Sequence, residues 1–238
     1  MQLREAMSAA DSLRNVLHRI ATAAVASPRR PAHPIRLVAV SKTQPVSAIR
    51  EAYDAGQREF GENYIVELIE KASLLPDDIK WRFIGHIQKN KAKKLLSCKN
   101  LATIETVDSE ALADLLQRLL NDCDRTVDAF IQVKTSNEDS KSGCEPGHVS
   151  QLALHIVSKC PNLKFKGLMT IGEADNTNCF SALWELRKTV AQDIGIAEQD
   201  LELSMGMSGD FEKAIEYGST SVRVGSAIFG ARPVKTQG

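Results

Sequence analysis

From residue 36 onward, short apolar runs alternate with segments whose apolar positions recur every three or four residues. The runs at 36–40, 58–60, 81–84, 101–106, 127–133, 165–169, 201–204 and 221–224 predict eight strands. Helical periodicity predicts helices over 46–55, from 65, near 92–96, over 149–158, 180–194 and 211–216, and a short last one from 227. The clearest helix carries Leu112, Leu115, Leu116, Leu119 and Leu120 on one face, with its polar positions left to water. Strict alternation implies parallel strands with crossover helices, and eight repeats predict a single α/β domain, a closed TIM-type (β/α)8 barrel. An open doubly wound sheet is the alternative, because the period alone does not fix closure.

Ahead of the first strand, residues 1–26 are Ala-rich, and Leu13, Val16, Leu17, Ile20 and Ala24 share one helical face. The expectation is an extra N-terminal helix packed on the barrel. Arg4, Arg14 and Arg19 give the segment some likeness to an organellar leader, but Glu5 and Asp11 count against one. Residues 27–34 contain Pro28, Pro31 and Pro34, which remove amide donors and fix φ, so this stretch reads as a linker. Residues 35–238 then form the barrel domain, and the chain's 238 residues match the roughly 250 that one such domain uses.

Lys plus Arg and Asp plus Glu are 30 each, so no net field favours nucleic acid or an anionic membrane. The ligand must be read from a local site. Five scattered cysteines, with no CxxC pair and no histidine read as standing at ligand spacing, fit a reducing compartment and argue against a disulfide framework and structural zinc. No apolar run approaches the ~18 residues of a membrane helix, and no secretory leader is evident. The expectation is a cytoplasmic monomer, with organellar targeting left open.

In a barrel of this type chemistry sits at the C-terminal ends of the strands. The first strand ends in Ser41-Lys42-Thr43, where partial desolvation would make the Lys42 amine a nucleophile suited to a Schiff base. Alone, a lysine there is more often one that has simply reached solvent. The seventh strand leads into Gly206-Met207-Ser208-Gly209, and the eighth into Gly225-Ser226, each ahead of a helix. Such loops bind phosphate through free amides, with Ser208 and Ser226 as hydroxyl donors and Gly225 permitting close approach. Val222 and Val224 should face the outer helices, so Arg223 should point inward. The spacing of Gly206 to Gly209 excludes a GxSxG nucleophile elbow.

Glu62 and Asn63, after the second strand, are candidates for a ligand contact or for a helix cap. His86 lacks a metal or serine partner and reads as structural, while Lys89, Lys91, Lys93 and Lys94 read as a solvated face. Lys134 and Lys141 are further amines on the same rim.

Taken together, Ala39-Val40-Ser41-Lys42-Thr43, Phe60-Gly61-Glu62-Asn63-Tyr64, Phe83-Ile84-Gly85-His86-Ile87-Gln88, Gly167-Leu168-Met169, Leu203-Ser204-Met205-Gly206-Met207-Ser208 and residues 222–230 resemble the pyridoxal phosphate homeostasis protein family, especially its eukaryotic, plant-type members. That resemblance implies a barrel related to the N-terminal domain of alanine racemase, with pyridoxal 5′-phosphate (PLP) held as a Schiff base on Lys42. It further implies phosphate contacts from Ser208, Gly225 and Ser226, Arg223 near the pyridine nitrogen, and Asn63 beside the ring. Two departures stand out: Lys134 occupies a position where the family usually has asparagine, and the stretch from Gly172 to Phe180 is shorter than usual.

Related racemases draw a second base, a tyrosine, from a β-domain beyond the barrel, whereas this sequence stops soon after its eighth strand with only Tyr53, Tyr64 and Tyr217 in all. An arginine facing the pyridine nitrogen also weakens the cofactor as an electron sink. The expected function is therefore a PLP carrier in cofactor homeostasis, without catalytic residues or turnover, and with PLP-dependent apo-enzymes as recipients. A small PLP-dependent racemase, or a Schiff-base aldolase using Lys42 without cofactor, is the competing expectation. Lys141 is expected to be either a second acceptor amine or an ion-pair partner of a neighbour such as Glu138.

Overall fold

Arg36 to Ala39 pair in parallel with Ser221 to Val224, which joins the last strand to the first and closes the sheet. The computed structural model describes residues 7–29, 33–136, 142–173 and 176–230. The parallel strands β1 (Arg36–Val40), β2 (Glu59–Glu62), β3 (Lys80–Phe83), β4 (Leu101–Val107), β5 (Val127–Gln132), β6 (Leu163–Met169), β7 (Glu202–Ser204) and β8 (Ser221–Val224) neighbour one another in chain order. The closed barrel is the expected one, and the open sheet is set aside. Around it lie α2 (Val46–Asp54), α3 (Ile65–Leu74), α4 (Ala92–Leu96), α5 (Glu110–Asn121), α6 (Val149–Lys159), α7 (Asn178–Ile194), α8 (Phe211–Glu216) and α9 (Ser226–Phe229).

The apolar core fills the shell between strands and helices rather than the barrel axis. Leu37, Phe60, Trp81, Phe83, Ile104 and Val222 turn outward onto Ile49, Leu68, Leu95, Leu116 and Ile215. The outward pair Phe60 and Trp81 meets with ring centroids 5.9 Å apart. Strand β2 runs to Glu62, two residues beyond the apolar signal, because Gly61 and Glu62 still pair with Arg82 and Phe83.

The lumen is polar. Arg36 on β1 bonds to Glu59 on β2 at 3.2 Å and to Glu202 on β7. Arg82 on β3 takes the other Glu59 oxygen at 3.0 Å and Glu105 on β4 at 2.6 Å. Ser204 donates to Glu105 at 2.6 Å and accepts from Arg223 at 2.9 Å. Three arginines thus alternate with three glutamates in a column from the lower end of the barrel towards its mouth. Unpaired, such buried charges would each cost several kcal/mol, about the penalty of ion desolvation in proteins.

Before the barrel, α1 (Ala9–Ala26) is capped by Ser8, whose Oγ accepts from the Asp11 amide at 3.1 Å. It packs across α2, α8 and α9. Leu13, Val16 and Ile20 are buried there, but Leu17 is exposed: it sits at the edge of the apolar stripe, about 60° from its centre at 100° per residue. Arg19 fastens the helix to Glu212 at 2.6 Å and lies over the Phe211 ring. Among the described residues no helix is long and apolar enough to cross a membrane.

Candidate functional site

At the C-terminal mouth of the barrel a cavity of about 300 Å³ is lined by Lys42, Asn63, Ser208, Arg223, Gly225 and Ser226, all six residues singled out from the sequence. Val40, Ile84, Met169, Ile171 and Met207 supply its apolar surface.

Lys42 follows β1, and the backbone around it is held from below. The Ser41 amide donates to the Gly61 carbonyl at 3.0 Å, and Ser41 Oγ donates to Glu62 Oε1 at 2.7 Å. From α3, Lys71 Nζ donates to the Ser41 carbonyl at 2.8 Å, to Glu62 at 2.7 Å and to Glu67 at 2.9 Å. Glu67 also accepts from the Thr43 amide at 2.8 Å. Thr43 has φ of 62°, a left-handed conformation that a β-branched residue adopts at a cost of about 1–3 kcal/mol. The buried clamp of Lys71, Glu62 and Glu67 keeps the strained turn in place and so fixes where Lys42 leaves the strand. Burial pushes the Glu62 carboxyl above its ordinary range, against the opposing pull of Lys71.

Glu62 is therefore turned away from the cavity into this clamp, while the next residue, Asn63, faces it. Asn63 Oδ1 is buried without a partner, an acceptor waiting for a donor. Its backbone is pressed by Gly85, where a Cβ would fall 2.0 Å from the Asn63 carbonyl oxygen. Neither Glu62 nor Asn63 caps α3, whose N-cap is Tyr64 with no side-chain hydrogen bond.

Across the cavity, the loops after β7 and β8 are tied by one hydroxyl. Ser208 Oγ accepts from the amides of Gly225 at 3.1 Å and Ala227 at 3.3 Å, leaving its own proton to donate. Gly206 starts the first loop with φ of 96°, and a Cβ there would meet the Ala214 Cβ at 2.5 Å. At Gly225 a Cβ would crowd the Val40 carbonyl at 3.2 Å. Backbone amides, hydroxyls and missing side chains make a cradle suited to a small dianion.

Arg223 points into the barrel as expected and donates to Ser204 Oγ and, at 2.7 Å, to the Thr170 carbonyl. Burial lowers its pKa while Glu105 opposes that loss. Burial also works to raise the Glu105 carboxyl, but Arg82 and Arg223, with the Ser204 hydrogen bond, hold it below its ordinary range. The guanidinium is thus oriented by the column beneath it before any ligand arrives.

The other rim amines do not line the cavity in the described residues. Lys134 pairs with Glu145 at 3.4 Å and borders a separate crevice with Thr170 and Gly172. Lys141 and Glu138 lie outside the described residues. His86 is exposed, 3.9 Å from Asp108, and Lys89, Lys91, Lys93 and Lys94 are exposed. None of the three tyrosines borders the cavity: Tyr53 donates to Asp78, Tyr64 is exposed, and Tyr217 packs against Phe180.

The closed barrel with its mouth cavity is of the racemase type: residues 12–233 match the family model described as alanine racemase, N-terminal domain. Alanine racemase of Corynebacterium glutamicum shares that fold, with a TM-score of 0.70 at 14% identity over 96% of this chain and 63% of the racemase. A pyridoxal phosphate homeostasis protein of Schizosaccharomyces pombe is 46% identical over 207 residues, 84% of this chain and 86% of the relative. PipY of Synechococcus elongatus, solved with PLP bound, superposes with a TM-score of 0.79 at 33% identity, covering 94% of this chain and all of PipY. The chain belongs to the pyridoxal phosphate homeostasis protein family.

Proposed function

We propose that this chain binds PLP through Lys42 and serves intracellular PLP homeostasis as a carrier, with no turnover of its own. The observation that carries the reading is the make-up of the cavity. Among its described lining residues, Lys42 carries the one primary amine, the group that can condense with an aldehyde. When bound, PLP would supply a reactive aldehyde, and Lys42 would be the residue to meet it with an amine.

The chain's own residues divide the remaining work. Ser208, Gly225 and Ser226 would hold the phosphate, and Asn63 would offer its unpartnered oxygen beside the ring. Arg223, already held by Ser204 and Thr170, would sit near the pyridine nitrogen and disfavour its protonation. Racemisation needs a second base on the opposite face, and the described lining offers none. Residues 35–238 would act as one cofactor-binding unit, a cytoplasmic monomer that hands PLP to apo-enzymes, with residues 1–26 as a packed helix and 27–34 as its linker.

The test is an absorption spectrum before and after borohydride, followed by peptide mapping. The expected result is an imine band and a reduced adduct on the Lys42 peptide. An adduct only at Lys134 or Lys141 overturns the site assignment. Sustained turnover of amino acids, lost in Lys42→Ala, overturns the carrier reading in favour of a racemase-like enzyme.

A further inference from the structure

Away from the cofactor cavity, the outer face of α5 and α6 gathers three donors of different chemistry. The Asp114 carboxylate, the His155 imidazole and the Cys160 thiol present ligand atoms that all lie within 4.8 Å of one another. His155 Nε2 is 2.6 Å from Asp114 Oδ1, with a proton bridging the two. The other ring nitrogen, Nδ1, faces Glu110 Oε2 at 3.4 Å. Glu110 is itself anchored, accepting from Gln151 Nε2 at 2.8 Å through its second oxygen.

We propose that Asp114, His155 and Cys160 form a zinc site, with three protein ligands and a fourth position open to solvent. An ion pair between helices needs only His155 and one carboxylate. It does not account for a thiol at the same point, or for a second carboxylate, Glu110, 3.4 Å from the ring's other nitrogen. A carboxylate on the far nitrogen of a ligating histidine is the usual outer support of a metal-bound imidazole. The mixed set of oxygen, nitrogen and sulfur donors selects zinc over magnesium or calcium, which take oxygen ligands. Asp114, with its side chain 60% exposed, supplies the way in, and buried Cys160 closes the base. On binding, the thiol proton and the proton shared by His155 and Asp114 pass to solvent. The ion then bridges α5 to the end of α6.

Zinc K-edge absorption on the full chain, loaded with one equivalent of Zn2+, tests the assignment. One sulfur is expected at about 2.3 Å with nitrogen and oxygen at about 2.0 Å. The sulfur should vanish in Cys160→Ser and persist in Cys123→Ser, which alters an exposed thiol. Chelator competition should show zinc affinity falling about tenfold or more in Asp114→Asn, a surface change that spares the fold. A shell without sulfur, sulfur that survives Cys160→Ser, or unchanged affinity in Asp114→Asn and His155→Gln overturns the site and leaves an ordinary ion-paired clamp.

Discussion

Lys71 Nζ lies 2.8 Å from the Ser41 carbonyl, so a buried ammonium on α3 holds the backbone one residue ahead of the cavity lysine. Removing it strands Glu62 in the interior. Lys71→Met is therefore expected to lose about 3–5 kcal/mol of stability in urea unfolding, the usual result of breaking a buried pair. A second change, Glu62→Gln, should recover part of that loss. Borohydride labelling at Lys42 should fall as the strained turn at Thr43 relaxes. A Lys71→Met protein as stable as the parent would show that the clamp does not matter.

Glu62 also sets a pH dependence. Burial raises its carboxyl above the ordinary value of 4.5, so the native state holds the proton more tightly than the unfolded chain. By linkage its contribution is full below that ordinary value and is lost as pH rises through the folded one. The stability of the parent relative to Glu62→Gln should accordingly decline with rising pH above about 4.5. A thermal-melt difference that stays flat from about pH 4 to about pH 8 is the result that refutes it.

Gly206→Ala places a methyl 2.5 Å from the Ala214 Cβ at a residue whose φ is 96°. The change should cost about 1–3 kcal/mol in thermal unfolding and weaken PLP binding, because the loop carrying Ser208 must shift. Unaltered melting and affinity would mean that the loop has slack the packing does not suggest.

Ser208→Ala removes the acceptor shared by the Gly225 and Ala227 amides and the hydroxyl proposed for the phosphate. PLP affinity should drop roughly tenfold, equivalent to about 1.4 kcal/mol, as read by spectral titration. The Lys42 adduct should still form at saturating cofactor. Equal affinity in parent and variant would remove Ser208 from the phosphate site.

Strand ends and loop glycines made the upper surface of the barrel legible from sequence, since Lys42, Ser208 and Gly225 stand where parallel strands stop. Arg223 was placed by alternation with Val222 and Val224. The support beneath them was not legible. Lys71, in the last turn of a helix and four residues after Glu67, has the pattern of a surface pair, and only the fold carries it under β1. Arg82 and Glu105, each the single charge in its short apolar run at 81–84 or 101–106, carry no local signal of the partner they meet. The available signal was their context: a parallel sheet covered by helices buries both faces, so charges at every second strand position had to face one another. Leu17 failed for the opposite reason, as an apolar residue just outside the stripe that α1 buries.

The column of arginines and glutamates also bears on how such a barrel can be inherited. It draws on β1, β2, β3 and β4 from one half and on β7 and β8 from the other, with Arg36 reaching Glu202 and Glu105 reaching Ser204 across the divide. Where a lumen is filled with interchangeable aliphatic layers, half-barrels from different parents can be joined with modest repacking. Here each half carries charges whose partners are encoded in the other. A recombinant barrel cut between β4 and β5 leaves charges of the first half without partners unless the incoming half restores a carboxylate at Glu202, a hydroxyl at Ser204 and a guanidinium at Arg223.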